Sequence, residues 1–419
     1  YDEILANLLV LSQVRKRIKK NKKEKKFFNN ELSNILIENL NFILTNDQKK
    51  AIKEINQDLI SDYKMFRILQ GDVGSGKTIV SFIAAANVIK SGFQVSIMAP
   101  TEILAKQHFE LARKVFKYTN IKISLLTGKI KSKDKKILQK DLFDGKINFL
   151  IGTHALFQKN IKFKKLGLVV IDEQHKFGVR QRIDFSNKGG KNCDILLMSA
   201  TPIPRTLVMT VYGDMDVSRI IKKPSDRKDI ITLSKPEDKI EEVLLFIKKQ
   251  IIKGNQIFWI CPLIEESENF SYSAAIKKYN FLSKKFINKV GLIHGALEKN
   301  KKNNVLKNFL DKKIDILVST TVVEVGIDFP NASVIVIENS DKFGLSQLHQ
   351  LRGRVGRGAI QGTCILLYKK NLSENAKKRI QILKSSNDGF FIADQDMKLR
   401  GFGDVLGYQQ SGIKNFKLA

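Results

Sequence analysis

From about residue 65 to 215, short apolar runs alternate with stretches of helical period. The runs are Phe66–Leu69, Val95–Ala99, Ile123–Leu126, Phe149–Ile151, Leu168–Ile171 and Ile195–Met198. This alternation predicts strands joined by helices, the rhythm of a parallel α/β sheet. Pro224-Ser225-Asp226-Arg227 reads as a linker, and a second series follows at Ile257–Cys261, Val290–Ile293, Ile316–Val318, Val334–Ile337 and Cys364–Tyr368. The two halves show no sequence repeat. Before the first series, Ile4, Leu5, Leu8, Leu11, Val14 and Ile18 recur at a helical spacing over residues 2–20, and the basic run Lys16–Lys26 continues it. That run fits either a helix facing nucleic acid or a solvated helix end. Leu44 to Gln48 opens another helix, with Thr45 or Asn46 as its N-cap. From about residue 371 the chain is helical and then rich in glycine (Gly401, Gly403, Gly407, Gly412).

At 419 residues the chain exceeds one ordinary core and suggests about two to four domains. No apolar run approaches the length of a membrane span. The chain opens on Tyr1 rather than Met, as a fragment would. Cys193, Cys261 and Cys364 are far apart and odd in number, which points to reduced, buried thiols and a cytoplasmic protein. The histidines show no metal-ligand spacing. A formal net charge of +31 suits a polyanionic partner, most simply nucleic acid. A lysine-rich composition that only solvates the surface fits the same number.

Candidate chemistry sharpens this picture. Gly71-Asp72-Val73-Gly74-Ser75-Gly76-Lys77-Thr78 matches the phosphate-cradling loop, between the strand Phe66–Leu69 and a helical run from Ile79 to Ile89. Glycines let backbone N–H groups face the phosphates, and the helix N-terminus adds partial positive charge. Lys77 would reach the β- and γ-phosphates and Thr78 would hold Mg²⁺. The apolar strand Leu168–Ile171 ends in Asp172-Glu173, where ligands of open α/β sheets sit. Asp172 is placed to hold the Mg²⁺, and Glu173 to orient and deprotonate the attacking water. In Gln350-Leu351-Arg352-Gly353-Arg354-Val355-Gly356-Arg357, three arginines interleave with glycines. Such a run supplies an arginine finger to a γ-phosphoryl group, or binds a phosphate backbone.

Taken in order, these motifs resemble the superfamily 2 helicases and translocases. Gln48 is similar to their adenine-reading glutamine; Ala99-Pro100-Thr101-Glu102 and Gly152-Thr153-His154 resemble nucleic-acid-contact motifs. Asp172–His175, Ser199-Ala200-Thr201, Gly326-Ile327-Asp328 and Gln350–Arg357 complete the series. Finer stretches resemble the RecG family of ATP-dependent branched-DNA helicases: Asp172–Val179, Ser199–Leu207, Tyr212–Asp216, Pro262–Glu268, Phe343–Gly358, and Leu399-Arg400-Gly401 with Gln410-Ser411-Gly412. Phe402 stands where that family's translocation motif usually has proline.

The resemblance implies two RecA-like parallel-sheet domains of a P-loop NTPase motor. Residues 1–40 are then a helical segment before the motor, 41–222 the ATP-binding domain, 223–370 the C-terminal helicase domain, and 371–419 the translocation motif. It implies ATP and Mg²⁺ as cofactors. Gln48, the loop Gly71–Thr78 and Asp328 near the ribose would hold ATP, with Arg354 and Arg357 as finger arginines. Thr101, Thr153, His175, Thr201, Thr320 and Thr321 would contact DNA or couple to it, and Arg400 and Gln410 would convert domain motion into translocation. The implied partner is branched or duplex DNA, with single-stranded-DNA-binding protein beside it, and the implied state is a monomer. The family's junction-splitting wedge domain is expected to lie outside this chain. An RNA helicase, or a nucleotide-gated binding protein without turnover, are the alternatives; Gln174-His175 and the tail oppose the first, and the intact Glu173 and Arg357 the second.

Overall fold

The computed structural model describes residue 9 and residues 22–128, 130–158, 160–173, 190–200, 215–222, 224, 228–262, 268–320, 329–356 and 360–406. The helix expected over residues 2–20 lies outside these, Leu9 excepted, as do His175, Thr201, Thr321, Asp328, Arg357 and Gln410. The chain divides into two compact units, one running to Pro224 and the other from Ser225 to Gly401.

The first unit holds seven strands: β1 (Phe66–Gly71), β2 (Gln94–Met98), β3 (Ile123–Leu126), β4 (Phe149–Gly152), β5 (Leu166–Ile171), β6 (Asp194–Ser199) and β7 (Asp216–Ile220). They lie side by side in the order β3-β4-β2-β5-β6-β1-β7, and every pairing is parallel. Strands of such a sheet are covered on both faces, which is why β2, β5 and β6 are buried at every position and why β5 and the Ile195–Met198 stretch of β6 read as continuous apolar runs. Helix Lys77–Lys90 is buried from Ile79 to Val88, because helices Glu31–Glu38 and Asn46–Ile60 cover the side that the sheet does not. Phe82, Phe116 and Phe149 pack there with ring centroids 5.7–6.0 Å apart.

The second unit repeats the plan with β8 (Ile231–Pro236), β9 (Gln256–Ile260), β10 (Val290–Ile293), β11 (Ile316–Ser319), β12 (Ala332–Ile337) and β13 (Thr363–Tyr368), in the all-parallel order β10-β11-β9-β12-β13-β8. Trp259 is fully buried in its core. The three cysteines are buried and unbridged, and burial pushes the thiols of Cys193 and Cys364 up to about 12. No helix among the described residues is long and apolar enough to cross a membrane.

Two strands, β7 and β8, have no counterpart in the apolar runs. Both lie at the edge of a sheet, where one side has no neighbouring strand and the residues alternate rather than run apolar. The basic run also departs from expectation. Lys22 to Asn29 are not helical, and Lys22 makes an antiparallel bridge to Tyr63. Lys23 and Lys26 are buried rather than solvated or facing outward. Lys23 Nζ donates to both carboxylate oxygens of Asp194 at 2.8 Å, and Lys26 Nζ donates to Oδ2 at 2.7 Å and to the Asn192 carbonyl at 3.0 Å. Two cations converging on one carboxylate at the start of β6 hold this segment down as an extended strap.

Candidate active site

The loop after β1 is built around glycine at two places. Gly76 has φ +87° and caps helix Lys77–Lys90, and a Cβ there would run into Gln48 Nε2. At Gly71 a Cβ would run into Ser75 Oγ. Lys77 is tucked into its own loop, with Nζ donating to the carbonyls of Gly71 at 2.8 Å and Asp72 at 3.0 Å. The ammonium group thus sits where phosphate oxygens can replace carbonyls as its acceptors.

Helix Asn46–Ile60 begins with a capping box. Thr45 Oγ1 accepts from Gln48 N at 3.3 Å, and Gln48 Oε1 accepts from Thr45 N at 2.8 Å. Gln48 Nε2 then donates to the Ser75 carbonyl at 2.8 Å. Gln48 is fully buried, with both ends of its amide engaged inside the unit, and each end has capacity for one more hydrogen bond. Beside it, Asp47 Oδ2 accepts from the N–H groups of Ile221 and Lys222 at 3.0 and 2.8 Å, which ties the chain leaving β7 to the same helix start.

Asp172 and Glu173 follow β5 and are both buried. The Asp172 N–H donates to the Met98 carbonyl at 2.9 Å. Its Oδ2 lies 2.8 Å from His108 Nε2, and its Oδ1 accepts from the Glu173 N–H at 3.0 Å. Burial alone would raise the Asp172 carboxyl. The hydrogen bond and charge of His108, the charge of Lys77 and the Glu173 N–H outweigh burial and hold it below the usual carboxylate range. The influence of Lys77 on Asp172 brings the phosphate loop and the carboxylates into one electrostatic site. Glu173 has φ +51°, a left-handed conformation that costs a non-glycine residue energy and clusters at functional sites.

Along the same edge, Thr127 and Thr153 directly follow the neighbouring strands β3 and β4, and Thr101 lies in the short turn after β2, beyond Ala99 and Pro100. Thr101 caps helix Glu102–Val115, its Oγ1 accepting from Leu104 N at 3.2 Å, and Thr153 precedes the short helix His154–Phe157. Thr127 and His108 escaped the sequence reading. Thr127 repeats the signal of Thr153, a threonine directly after a strand. His108 gives none, because a lone histidine on an amphipathic helix resembles any core position.

In the second unit Thr320, after β11, is fully buried. The arginine run separates into different jobs. Arg352, at the end of helix Leu345–Arg352, is buried, and its Nη1 donates to the carbonyls of Leu383 at 2.6 Å and Ser386 at 2.9 Å. Its Nη2 lies 2.9 Å from His349 Nδ1. It therefore clamps the C-terminal carbonyls of helix Glu374–Ser385. Arg354 is buried two residues further on. Arg379 donates to the carbonyls of Phe343 and Asp341 at 2.9 and 3.0 Å, and Ser346 Oγ donates to Asp396 Oδ2 at 2.6 Å. The helix leading into the arginine run is thus fastened to helices Glu374–Ser385 and Gly389–Leu406, and the second of these carries Arg400.

Three family models match in order along the chain: DEAD/DEAH box helicase over residues 45–210, helicase conserved C-terminal domain over 236–359, and ATP-dependent DNA helicase RecG, domain 3, C-terminal over 386–419. The whole chain is 47% identical to ATP-dependent DNA helicase RecG of Bacillus subtilis and 45% identical to that of Thermotoga maritima, covering 62% and 54% of those proteins. The chain belongs to the RecG helicase family. A solved structure of RecG bound to a three-way DNA junction matches all of it with a TM-score of 0.86 at 42% identity, the chain covering 55% of that protein. The chain therefore spans a little over half the length of its RecG relatives. More distant matches, such as Mss116p bound to single-stranded RNA (TM-score 0.63, 20% identity), share the two-unit fold.

Proposed function

We propose that this chain is the ATP-driven motor of a RecG helicase, moving on DNA at branched junctions. Such a motor regresses stalled forks and migrates Holliday junctions in recombination and repair. The observation that carries this reading is the full-chain similarity to a RecG solved on a three-way DNA junction. In this reading the working segments are residues 1–40, 41–222, 223–370 and 371–419.

The loop Gly71–Thr78 takes the ATP phosphates, with Lys77 exchanging the Gly71 and Asp72 carbonyls for phosphate oxygens. Gln48 reads adenine, and Asp328 lies near the ribose. Thr78 and Asp172 hold Mg²⁺; a hydroxyl and an ionised carboxylate held low by its neighbours are the oxygen donors this hard cation takes. When bound, Mg²⁺ neutralises charge on the β- and γ-phosphates. Glu173 orients the water and takes its proton. Arg354 and Arg357 supply positive charge to the γ-phosphoryl oxygens. Thr101, Thr127, Thr153, Thr320 and Thr321, with His175 and Thr201, serve the DNA side, and contacts of this kind carry no base sequence. The motor works as a monomer in the cytoplasm, with single-stranded-DNA-binding protein as a further partner.

The test is ATP hydrolysis without nucleic acid and with single-stranded DNA, duplex DNA, a four-way junction or RNA at one fixed salt concentration, since phosphate contacts are salt-dependent. Strongest stimulation by junction or duplex DNA is expected; stimulation by RNA alone would overturn the DNA reading. Arg400→Ala is expected to keep DNA-stimulated hydrolysis and to lose movement. The check is displacement of a triplex-forming strand from duplex DNA, and displacement at the wild-type rate would remove Arg400 from the coupling.

A further inference from the structure

We infer that His108 is a positioning residue for the magnesium aspartate, fixing the Asp172 carboxylate in the orientation it presents to the metal. This rests on the proposed role of Asp172. His108 comes from neither the phosphate loop nor the strand that carries Asp172. It sits on helix Glu102–Val115, sixty-four residues upstream of its partner. Nevertheless its Nε2 lies 2.8 Å from Asp172 Oδ2, with His108 only 6% and Asp172 only 8% exposed.

A carboxylate on a short side chain turns easily about its last bond unless both oxygens are held. Here both are: Oδ2 by His108 and Oδ1 by the Glu173 N–H at 3.0 Å. An ionised carboxylate offers about two lone-pair sites on each oxygen, so each keeps one for a cation or its bound water. The donor type also matters. Facing an ionised acceptor, Nε2 carries the proton and donates it to Oδ2. Partners of this kind, one bond removed from the metal, typically account for about 10–100-fold in metal affinity.

His108 is set in turn by its helix. Thr101 caps that helix, and His108 lies about two turns from the cap, on the buried side with Leu104, Ala105 and Ala112. The ring is therefore held by packing, as a positioning group needs to be.

The experiment measures the affinity of a fluorescent, non-hydrolysed ATP analogue across a range of free Mg²⁺ and in EDTA, with the melting temperature of each protein. Four variants are compared: His108→Phe, His108→Gln, His108→Asn and Asp172→Asn. His108→Phe is expected to raise the Mg²⁺ concentration for half-maximal effect by about 10–100-fold, with affinity in EDTA unchanged. His108→Gln puts an amide donor close to the place of the lost Nε2 and is expected to recover most of the loss, whereas the shorter Asn is not. The Gln and Asn pair carries the test if the Phe variant fails to fold. Asp172→Asn is expected to shift the Mg²⁺ dependence at least as far. If Asp172→Asn shifts it and the His108 variants do not, His108 has no positioning role. An equal loss of affinity with and without Mg²⁺ in the His108 variants would also overturn the inference, as a purely structural effect. If Asp172→Asn leaves the Mg²⁺ dependence unchanged, the metal reading of Asp172 itself is wrong.

Discussion

Glu173→Gln is expected to slow ATP turnover by roughly 10²–10⁴-fold, the usual contribution of a general base, while nucleotide still binds. Glu173 is held at φ +51°, and its N–H donates to Asp172 Oδ1. The left-handed turn places two consecutive acidic side chains in different directions from the end of one strand, so that one can face a metal while the other faces a water. Glutamine keeps the size, the N–H and the conformation, and removes only the ability to take a proton. Binding of a fluorescent ATP analogue should therefore stay within a few-fold of wild type, and the melting temperature should not fall. Single-turnover hydrolysis measures the chemical step directly. Turnover at the wild-type rate would take the proton-accepting role from Glu173; a parallel loss of binding would make it a nucleotide-holding residue instead.

The contiguous chemistry was legible because its geometry is local. A phosphate loop needs glycines, lysine and threonine within eight residues, and the strand before it and the helix after it are visible in the same window. Strands covered on both faces were equally plain, since β5 and β6 have no polar face to blur the run. Of the edge strands, β3 and β10 were still read as apolar runs, but β7 and β8 were not: β8 is Ile-Thr-Leu-Ser-Lys-Pro, with Ile231 and Leu233 exposed, and nothing in such a run distinguishes it from a linker. The residues whose meaning depends on a distant partner were invisible for the same reason. Arg352 sits in the same arginine–glycine run as Arg354 and Arg357, and only the carbonyls of Leu383 and Ser386 reveal it as a clamp. Lys23 and Lys26 are two of many lysines until Asp194 is brought against them from 168 or more residues away.

That buried triad carries the largest stability effect. Asp194→Ala is expected to destabilise the first unit by about 3–5 kcal/mol, the cost of stripping one partner from a buried ion pair. Both lysine side chains have no solvent exposure, and neither does the carboxylate. Burial lowers the Lys23 ammonium from its ordinary range, and the charge of Asp194 is what opposes that shift. Without Asp194 the balance is lost: Lys23 and Lys26 repel each other in a dry site, and the strap that carries them is driven to leave. Leaving means peeling the strap away from Lys23 N–H···O=C Asp62 and from the Asn192 carbonyl that holds Lys26. The Met65 N–H, which donates to Asp194 Oδ1 at 2.7 Å, is orphaned at the same time. Urea unfolding followed by two probes separates this from a global effect. The single tryptophan, Trp259, lies in the second unit, so its fluorescence reports that unit alone, whereas far-ultraviolet circular dichroism reports both. The dichroism should acquire an earlier transition in Asp194→Ala while the Trp259 transition stays in place. Replacing Lys23, Lys26 and Asp194 together with apolar residues of similar volume should restore most of the loss, because the penalty comes from unbalanced charge rather than from missing contacts. If the triple replacement is as unstable as Asp194→Ala, the strap is held by hydrogen bonds that apolar side chains cannot replace, and charge balance is not what the site provides.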